Sequence, residues 1–375
     1  MHDCSAPSQP LSALRQVADQ FKPRGQVTDV QAFGKGNINS TFLVTWTGPT
    51  EGRFILQRIN TQVFQEPQMV MENIHIFTEH VRRRLQQNPL PEQRRWDIPQ
   101  VLLTQDQQNY WICAEGHFWR AISYIETTKT LDKIQDHHHA HEVGYALGMF
   151  HHLISDLPAH QLADTLEGFH ITPQYLQHYE QVFQTAQIRP SPEVDYCVRF
   201  IGDRKASANI LEKAKAEGKL QLRLIHGDPK INNILIDTQT GQAVSVIDLD
   251  TVKPGLVHYD IGDCLRSGCN PWGEETKDWQ AVQFDLDLCE ALLSGYLGVA
   301  KDFLTAEDYD YMGAAIRLIA FELGLRFFTD YLAGNVYFKV NHPDHNLERA
   351  LVQFKLTESI EAQSTQIEAL LRRLQ

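Results

Sequence analysis

Residues 224–250 read LIHGDPKINNILIDTQTGQAVSVIDLD. The stretch begins at the end of a short alternating run, Leu220–Ile225, and turns through Gly227 and Asp228. An apolar run, Ile234–Asp237, is followed by the turn residues Thr238–Gly241, and Ala243–Asp248 returns. This spacing predicts a strand at Leu220–Ile225 and then two strands closed into a hairpin. Asp228 falls in the turn after the first strand, Asn233 five residues on, and Asp248 at the far end of the hairpin. Either of the first two, taken singly, is an ordinary turn or cap residue. All three at this spacing make a set with chemistry in it.

Working outward toward the N-terminus, the chain reads as strands. Thr28–Phe33 runs into a Gly-rich turn, Gly34-Lys35-Gly36-Asn37-Ile38-Asn39, and Thr41–Trp46 and Arg53–Ile59 flank a Gly48-Pro49 turn. Val70, Ile74, Phe77, Val81 and Leu85 predict one helix over 66–87. Short strands follow at Gln100–Thr104, Tyr110–Cys113 and Phe118–Tyr124. From about residue 137 the period changes to 3.6, with Val143, Leu147, Phe150 and Ile154 on one face. Another helix is expected over 206–217, stopped by Gly218, and the C-terminal part is mostly helical. The expected organisation is α+β: a small antiparallel-sheet lobe over residues 1–126 and a larger helical lobe over 127–375.

Composition narrows the function classes. The 375 residues are 42% hydrophobic and 22% charged, which excludes a disordered chain. Forty-seven acids against 34 bases give a formal charge of −13, which argues against broad binding to nucleic acid or anionic lipid. The first twenty residues carry Asp3, Arg15 and Asp19 with no apolar core of a signal peptide, and no stretch has the length and hydropathy of a membrane helix. Six scattered cysteines without a C-x-x-C pair read as free thiols. A soluble, cytoplasmic protein is the expectation; the oligomeric state is left open.

Asp228, Asn233 and Asp248 suit phosphoryl transfer, whose chemistry is positioning plus neutralisation of charge. One carboxylate orients the attacking hydroxyl. A second carboxylate and an amide oxygen hold Mg²⁺ against the phosphates, because hard cations prefer oxygen ligands. The five-residue offset from Asp to Asn matches the catalytic loop of kinases, with Asp248 in the place of their second metal-binding aspartate.

HGDPKINNILID together with IDLD resembles the aminoglycoside-phosphotransferase-type small-molecule kinases, relatives of the protein-kinase fold with HGD in place of HRD. The longer string VIDLDTVKPGLVHYDIGDCLR is similar to the N-acetylhexosamine 1-kinases, as are FGKGNINSTFLV, FILQRINTQVFQEPQMVMENI and RFFTDYLAGNVYF. The resemblance spans residues 27–340 and implies a two-lobed, protein-kinase-like fold, ATP and Mg²⁺ as cofactors, and a sugar acceptor. It implies Asp228 as catalytic base, Asn233 and Asp248 as metal ligands, and Arg326 and Tyr337 as substrate-binding residues. A guanidinium fork and a tyrosine ring with its hydroxyl suit a neutral polar sugar.

Two departures from the pattern concern the nucleotide. The Gly34-x-Gly36 turn offers backbone N–H groups to phosphates, but Asn39 stands where protein kinases have a third glycine. The third strand has Gln57 and Arg58 where a lysine is expected. Alternate residues point to opposite faces, so only one of the two meets the nucleotide, with adenine near Ser123–Glu126. Glu72 is a candidate helix glutamate, and Asp260 is expected to brace the catalytic loop. Asp250, Asp263 and Arg266 are candidate pocket residues. The histidines at 137–141, 151 and 152, the Cys264/Cys269 pair and the Arg82–Arg84 run read as bland surface or core features. Competing readings are a kinase of the same fold acting on an aminoglycoside, choline, homoserine or another sugar, and a non-catalytic nucleotide- or sugar-binding protein.

Overall fold

Strand formation in the first hundred residues follows the β-branched and aromatic runs, and a computed structural model shows how they pair. It describes residues 11–21, 25–34, 38–48, 51–187 and 189–375. The chain divides into two units: residues 1–82 with 97–126, and residues 83–96 with 127–375.

The first unit contains α1 (Leu11–Phe21), β1 (Gln26–Ala32), β2 (Ser40–Thr47), β3 (Gly52–Arg58), most of α2 (Pro67–Gln87), β4 (Val101–Leu102), β5 (Trp111–Ile112) and β6 (Phe118–Ser123). The sheet runs β1-β2-β3-β6-β4, antiparallel throughout, with β5 also on β6. Leu14, Val17, Ala18 and Phe21, at helical spacing, bury one face of α1 against Val27, Val30, Val44, Phe54, Leu56, Trp119 and Ala121. Burying each large apolar side chain is worth about 1.5–3 kcal/mol. The sequence reading had not placed α1. The helix expected over 66–87 is present as α2, with Val70, Met71, Ile74, Phe77 and Val81 buried.

The second unit contains β7 (Thr128–Lys129), α3 (His137–Ile154), α4 (Thr172–Thr185), α5 (Pro192–Arg204), α6 (Ile210–Ala216), β8 (Arg223–Ile225), β9 (Ile234–Asp237), β10 (Ala243–Val246), β11 (Lys253–Gly255), α7 (Val257–Gly268), α8 (Leu286–Ala300), α9 (Ala306–Leu332), α10 (His345–Ala362) and α11 (Ser364–Leu374). The expected hairpin is β9–β10, joined by β7, and β8 pairs with β11. β10 ends two residues before Asp248, which adopts φ 66°, ψ 57° and so cannot continue a strand.

Glycines set the closest helix packing. A Cβ on Gly144 of α3 would fall 1.8 Å from the Leu292 carbonyl oxygen of α8, and one on Gly295 of α8 would fall 2.0 Å from the His141 oxygen. Around α9 and α10 the core is aromatic: Phe200 stacks on Phe354 at 4.5 Å, and Phe321 lies 6.2 Å from Phe354. The predicted helix over 206–217 is shortened to α6, and Gly218 follows at φ 74°.

Candidate active site

The β8–β9 loop runs from His226 to Lys230 and into a 3-10 turn, Ile231–Asn233. Gly227 has φ 87°, and a Cβ there would lie 2.8 Å from the Thr251 carbonyl oxygen, so only glycine fits. Asp260, in the first turn of α7, is fully buried and pins this loop. Its Oδ2 accepts the His226 N–H at 2.6 Å and its Oδ1 accepts the Gly227 N–H at 2.8 Å. Nε2 of His151 on α3 lies 2.9 Å from Asp260 Oδ2, and Nδ1 lies 3.1 Å from the Tyr296 hydroxyl. A buried carboxylate met by three N–H groups is a satisfied anchor.

His226 fixes the next residue. Its Nδ1 accepts the Asp228 N–H at 3.2 Å and its Nε2 faces the Ile247 carbonyl at 2.9 Å, an arrangement assigned to the neutral Nε2–H tautomer. Asp228 thus enters the site on a backbone held from both sides. Its side chain is half-buried, and Oδ2 accepts from Lys230 Nζ at 2.7 Å. Burial alone would lower the Lys230 pKa, but Asp228, Asp248 and Asp263 outweigh it and hold the ammonium above its ordinary value.

Asn233 donates Nδ2 to the Asp228 carbonyl at 2.8 Å, and its Oδ1 accepts no hydrogen bond from the described residues. Asp248 makes no side-chain hydrogen bond or ion pair with them. Although Asp248 is exposed, its carboxyl is pushed up to about 6, by desolvation first and then by Asp250 and Asp228, with Lys230 opposing. An uncommitted amide oxygen and a carboxylate crowded by like charge form a hard-cation donor set.

Arg326 projects from α9 and is half-buried. Its guanidinium lies 5.2 Å from the ring of Phe169, 5.0 Å from Tyr175 and 5.5 Å from Phe338. No carboxylate pairs with it among the described residues. Desolvation would lower its pKa, yet Tyr175, Tyr337, Glu322 and Asp228 within electrostatic reach raise it. Tyr337 is 50% exposed on the loop after α9. Asp330, at the end of that helix, holds the loop by accepting the N–H groups of Val336, Tyr337 and Phe338 at 2.8–3.0 Å. The second unit therefore brings Asp228, Asn233, Asp248 and Arg326 together, with Tyr337 beside Arg326.

Residues 29–296 match the family model described as APH, phosphotransferase enzyme family. The chain belongs to this family. Among solved structures it is similar to an aminoglycoside phosphotransferase from Alicyclobacillus acidocaldarius, at 16% identity and TM-score 0.63, covering 98% of each chain. It also resembles a microcompartment-associated aminopropanol kinase, at 15% identity and TM-score 0.62, with 96% of this chain and 99% of that one covered. A third is an amicoumacin kinase in complex with AMP-PNP, Ca²⁺ and Ami, at 12% identity and TM-score 0.55, covering 94% and 93%. These likenesses show the fold: a two-lobed, kinase-like α+β architecture.

Within that family fold, the first unit carries Gly34, Gln57 and Arg58; Gly36 lies outside the described residues. Gly34 has φ 74°, with open space where a Cβ would sit. Gln57 pairs in register with Arg120 on β6, and its Oε1 accepts from Arg120 Nε at 3.0 Å and Nη2 at 2.8 Å. Gln57 Nε2 donates to Thr41 Oγ1 at 3.1 Å. Arg58 points the other way and reaches Ser40 Oγ at 3.3 Å. Arg120 is 1% exposed, so this sheet buries a guanidinium directly beside Gln57 on the same face. Glu72 is exposed and pairs with none of these residues.

Sequence reasoning missed Lys230, Arg120, His151 and Asp330. Lys230 stood in plain view two residues after Asp228. Arg120 was legible as one charge inside the apolar run Phe118–Ser123, but the register that sets it against Gln57 was not. His151 was set aside with the other histidines as bland; it is the buried partner of Asp260. Among the described residues no three His, Cys, Asp or Glu side chains form a metal cluster, no disulfide joins the cysteines, and no helix is long and apolar enough to cross a membrane.

Proposed function

We propose that this phosphotransferase moves the γ-phosphoryl group of ATP to the anomeric hydroxyl of an N-acetylhexosamine, giving the sugar 1-phosphate and ADP. The observation that carries the reading is Asp228 set beside Asn233 and Asp248, with the Arg326 guanidinium, unpaired with any carboxylate among the described residues, nearby. Asp228 accepts the hydroxyl proton as the sugar oxygen bonds to phosphorus and the bond to the ADP oxygen breaks. The anomeric hydroxyl is more acidic than an ordinary alcohol, so a plain carboxylate suffices as base. Lys230, 2.7 Å from Asp228, keeps that carboxylate oriented and adds positive charge beside the reacting centre.

Asn233 Oδ1 and Asp248 are assigned as the protein's ligands for Mg²⁺, which when bound would neutralise charge on the phosphates. The amicoumacin kinase complex, with a nucleotide and a divalent cation, supports this reading by analogy. Gly34, Gly36 and Gln57 are assigned to the nucleotide, with Arg120 supplying the charge beside Gln57 and Arg58 left to the opposite face of the strand. In this assignment residues 1–126 cover the nucleotide and 127–375 carry the catalytic loop and acceptor pocket.

Arg326 and Tyr337 are assigned to the acceptor. Three rings around the Arg326 guanidinium favour a neutral polar ring over a cation such as choline or an aminoglycoside, which Arg326 would repel. The test is ADP release with ATP and Mg²⁺ over N-acetylglucosamine, N-acetylgalactosamine, glucose, galactose, choline, homoserine and kanamycin. Turnover confined to the N-acetylated sugars, with loss of reducing-end reactivity, is expected. Turnover of Asp228→Asn is expected to fall about a thousandfold with the fold intact. A cationic acceptor as the best substrate would overturn the sugar assignment, and full activity of Asp228→Asn would overturn the base.

A further inference from the structure

His170 precedes α4 with φ 66°, a left-handed conformation that a bulky residue rarely adopts, and it is 4% exposed. Its Nδ1 lies 2.9 Å from Oε1 of Glu322 on α9, and its Nε2 lies 2.8 Å from the carbonyl oxygen of Gly227. The other Glu322 oxygen accepts the Thr172 hydroxyl at 2.7 Å. A backbone carbonyl has no proton to give, so Nε2 donates. Glu322, accepting on both oxygens as a carboxylate, takes a proton from Nδ1 as well. Only the imidazolium donates from both nitrogens.

We propose that His170 is a positioning residue, a buried imidazolium that ties the peptide entering Asp228 to the helix that carries Arg326. The Gly227 carbonyl belongs to the peptide whose N–H is that of Asp228, so the Nε2 bond sets the plane of that peptide. Glu322 lies one helical turn before Arg326, and Phe169, next to His170, lays its ring against the Arg326 guanidinium at 5.2 Å. One charged ring thereby registers the acceptor side of the site against the proposed base. The inference rests on the kinase reading above.

The groups facing the ring favour its charge. From α9 comes Glu322, and from α7 come Asp263 and Tyr259, the latter stacked at 5.4 Å with its hydroxyl on Glu212 of α6. Tyr175 of α4 approaches through the His170 backbone. Burial would lower the histidine pKa, but Glu322 and Asp263 outweigh it and the value is raised. The bonded form is therefore fully present below the ordinary histidine value and is lost only as pH rises through the elevated one.

The test combines ¹⁵N-histidine NMR on the intact protein with the pH dependence of kcat/KM for the acceptor in the wild type, Glu322→Gln and His170→Gln. Both His170 ring nitrogens are expected to be protonated at pH 7. Glu322→Gln removes the counter-charge and keeps the shape. Its kcat/KM is expected to fall about tenfold or more at pH 8, relative to wild type, and to recover toward pH 5.5 as the ring regains its proton. His170→Gln is expected to be impaired at both pH values. A single-nitrogen tautomer in the wild type, or a Glu322→Gln loss that does not change with pH, overturns the proposal. Should Glu322→Gln fail to fold, the wild-type NMR decides alone. Silence of the wild type toward every acceptor would instead sink the kinase reading, a result separable from the ring's protonation.

Discussion

Asp248 is where residue-level electrostatics become measurable. Its carboxyl stands at about 6 because it is desolvated and shares its surroundings with Asp250 and Asp228. In the cation-free protein this group favours the fold below the ordinary carboxylate value and loses that contribution as pH rises toward 6. A bound cation inverts the preference, because it requires the ionised form. Apparent Mg²⁺ affinity is expected to weaken about tenfold from pH 7 to pH 5, with proton uptake from buffer on release near pH 6. Titration calorimetry in buffers of different ionisation enthalpy reads both; an affinity flat across that range would remove Asp248 from the ligand set. Asp228, Asn233 and Asp248 were visible in the sequence because their spacing is local. The raised value was not, since it depends on which carboxylates the folded chain sets against one another.

Helices and loops follow a different rule: what decides them is where their ends are tied. The loop after α9 carries Tyr337, and Asp330 accepts three of its backbone N–H groups and the Asn346 amide at 2.9 Å. Replacing Asp330 with Ala orphans those donors. The acceptor KM is expected to rise about tenfold or more while the KM for ATP barely moves, and steady-state kinetics with each substrate varied checks this. Equal loss on both substrates would make Asp330 a general stabiliser.

The crossing of α3 and α8 gives a sharper contrast. Gly295→Ala is expected to cost about 3 kcal/mol in urea unfolding, because its Cβ would meet the His141 carbonyl at 2.0 Å. Gly298→Ala, three residues along the same helix with open space around it, is expected to stabilise by about 0.5–1 kcal/mol. The period of α2 and α3 was legible in sequence. Which glycine in α8 is a contact and which is free was not, since both sit in the same apolar run and only the partner helix distinguishes them. The helix α1 escaped notice for a related reason: its four buried positions are few, and the sheet they cover lies later in the chain.

Across the whole molecule, the −13 formal charge coexists with cations set singly against particular partners: Lys230 at Asp228, Arg326 among three rings, Arg120 beside Gln57. Bulk composition foretold the first fact and could not foretell the second. The strands and the spacing of Asp228, Asn233 and Asp248 followed from local pattern, whereas Arg120 and His170 meet partners 63 and 152 residues away in sequence. The backbone at Asp248 adds a different consequence. A left-handed φ of 66° is one that glycine adopts without strain. Asp248→Gly would relieve that geometry and also delete a carboxylate from a crowded acidic group. The variant is expected to melt at a higher temperature than the wild type while losing phosphoryl transfer altogether. Heat tolerance and turnover would then be rivals for a single position, and a screen for hardier variants of this protein would be drawn first to the substitution that kills it.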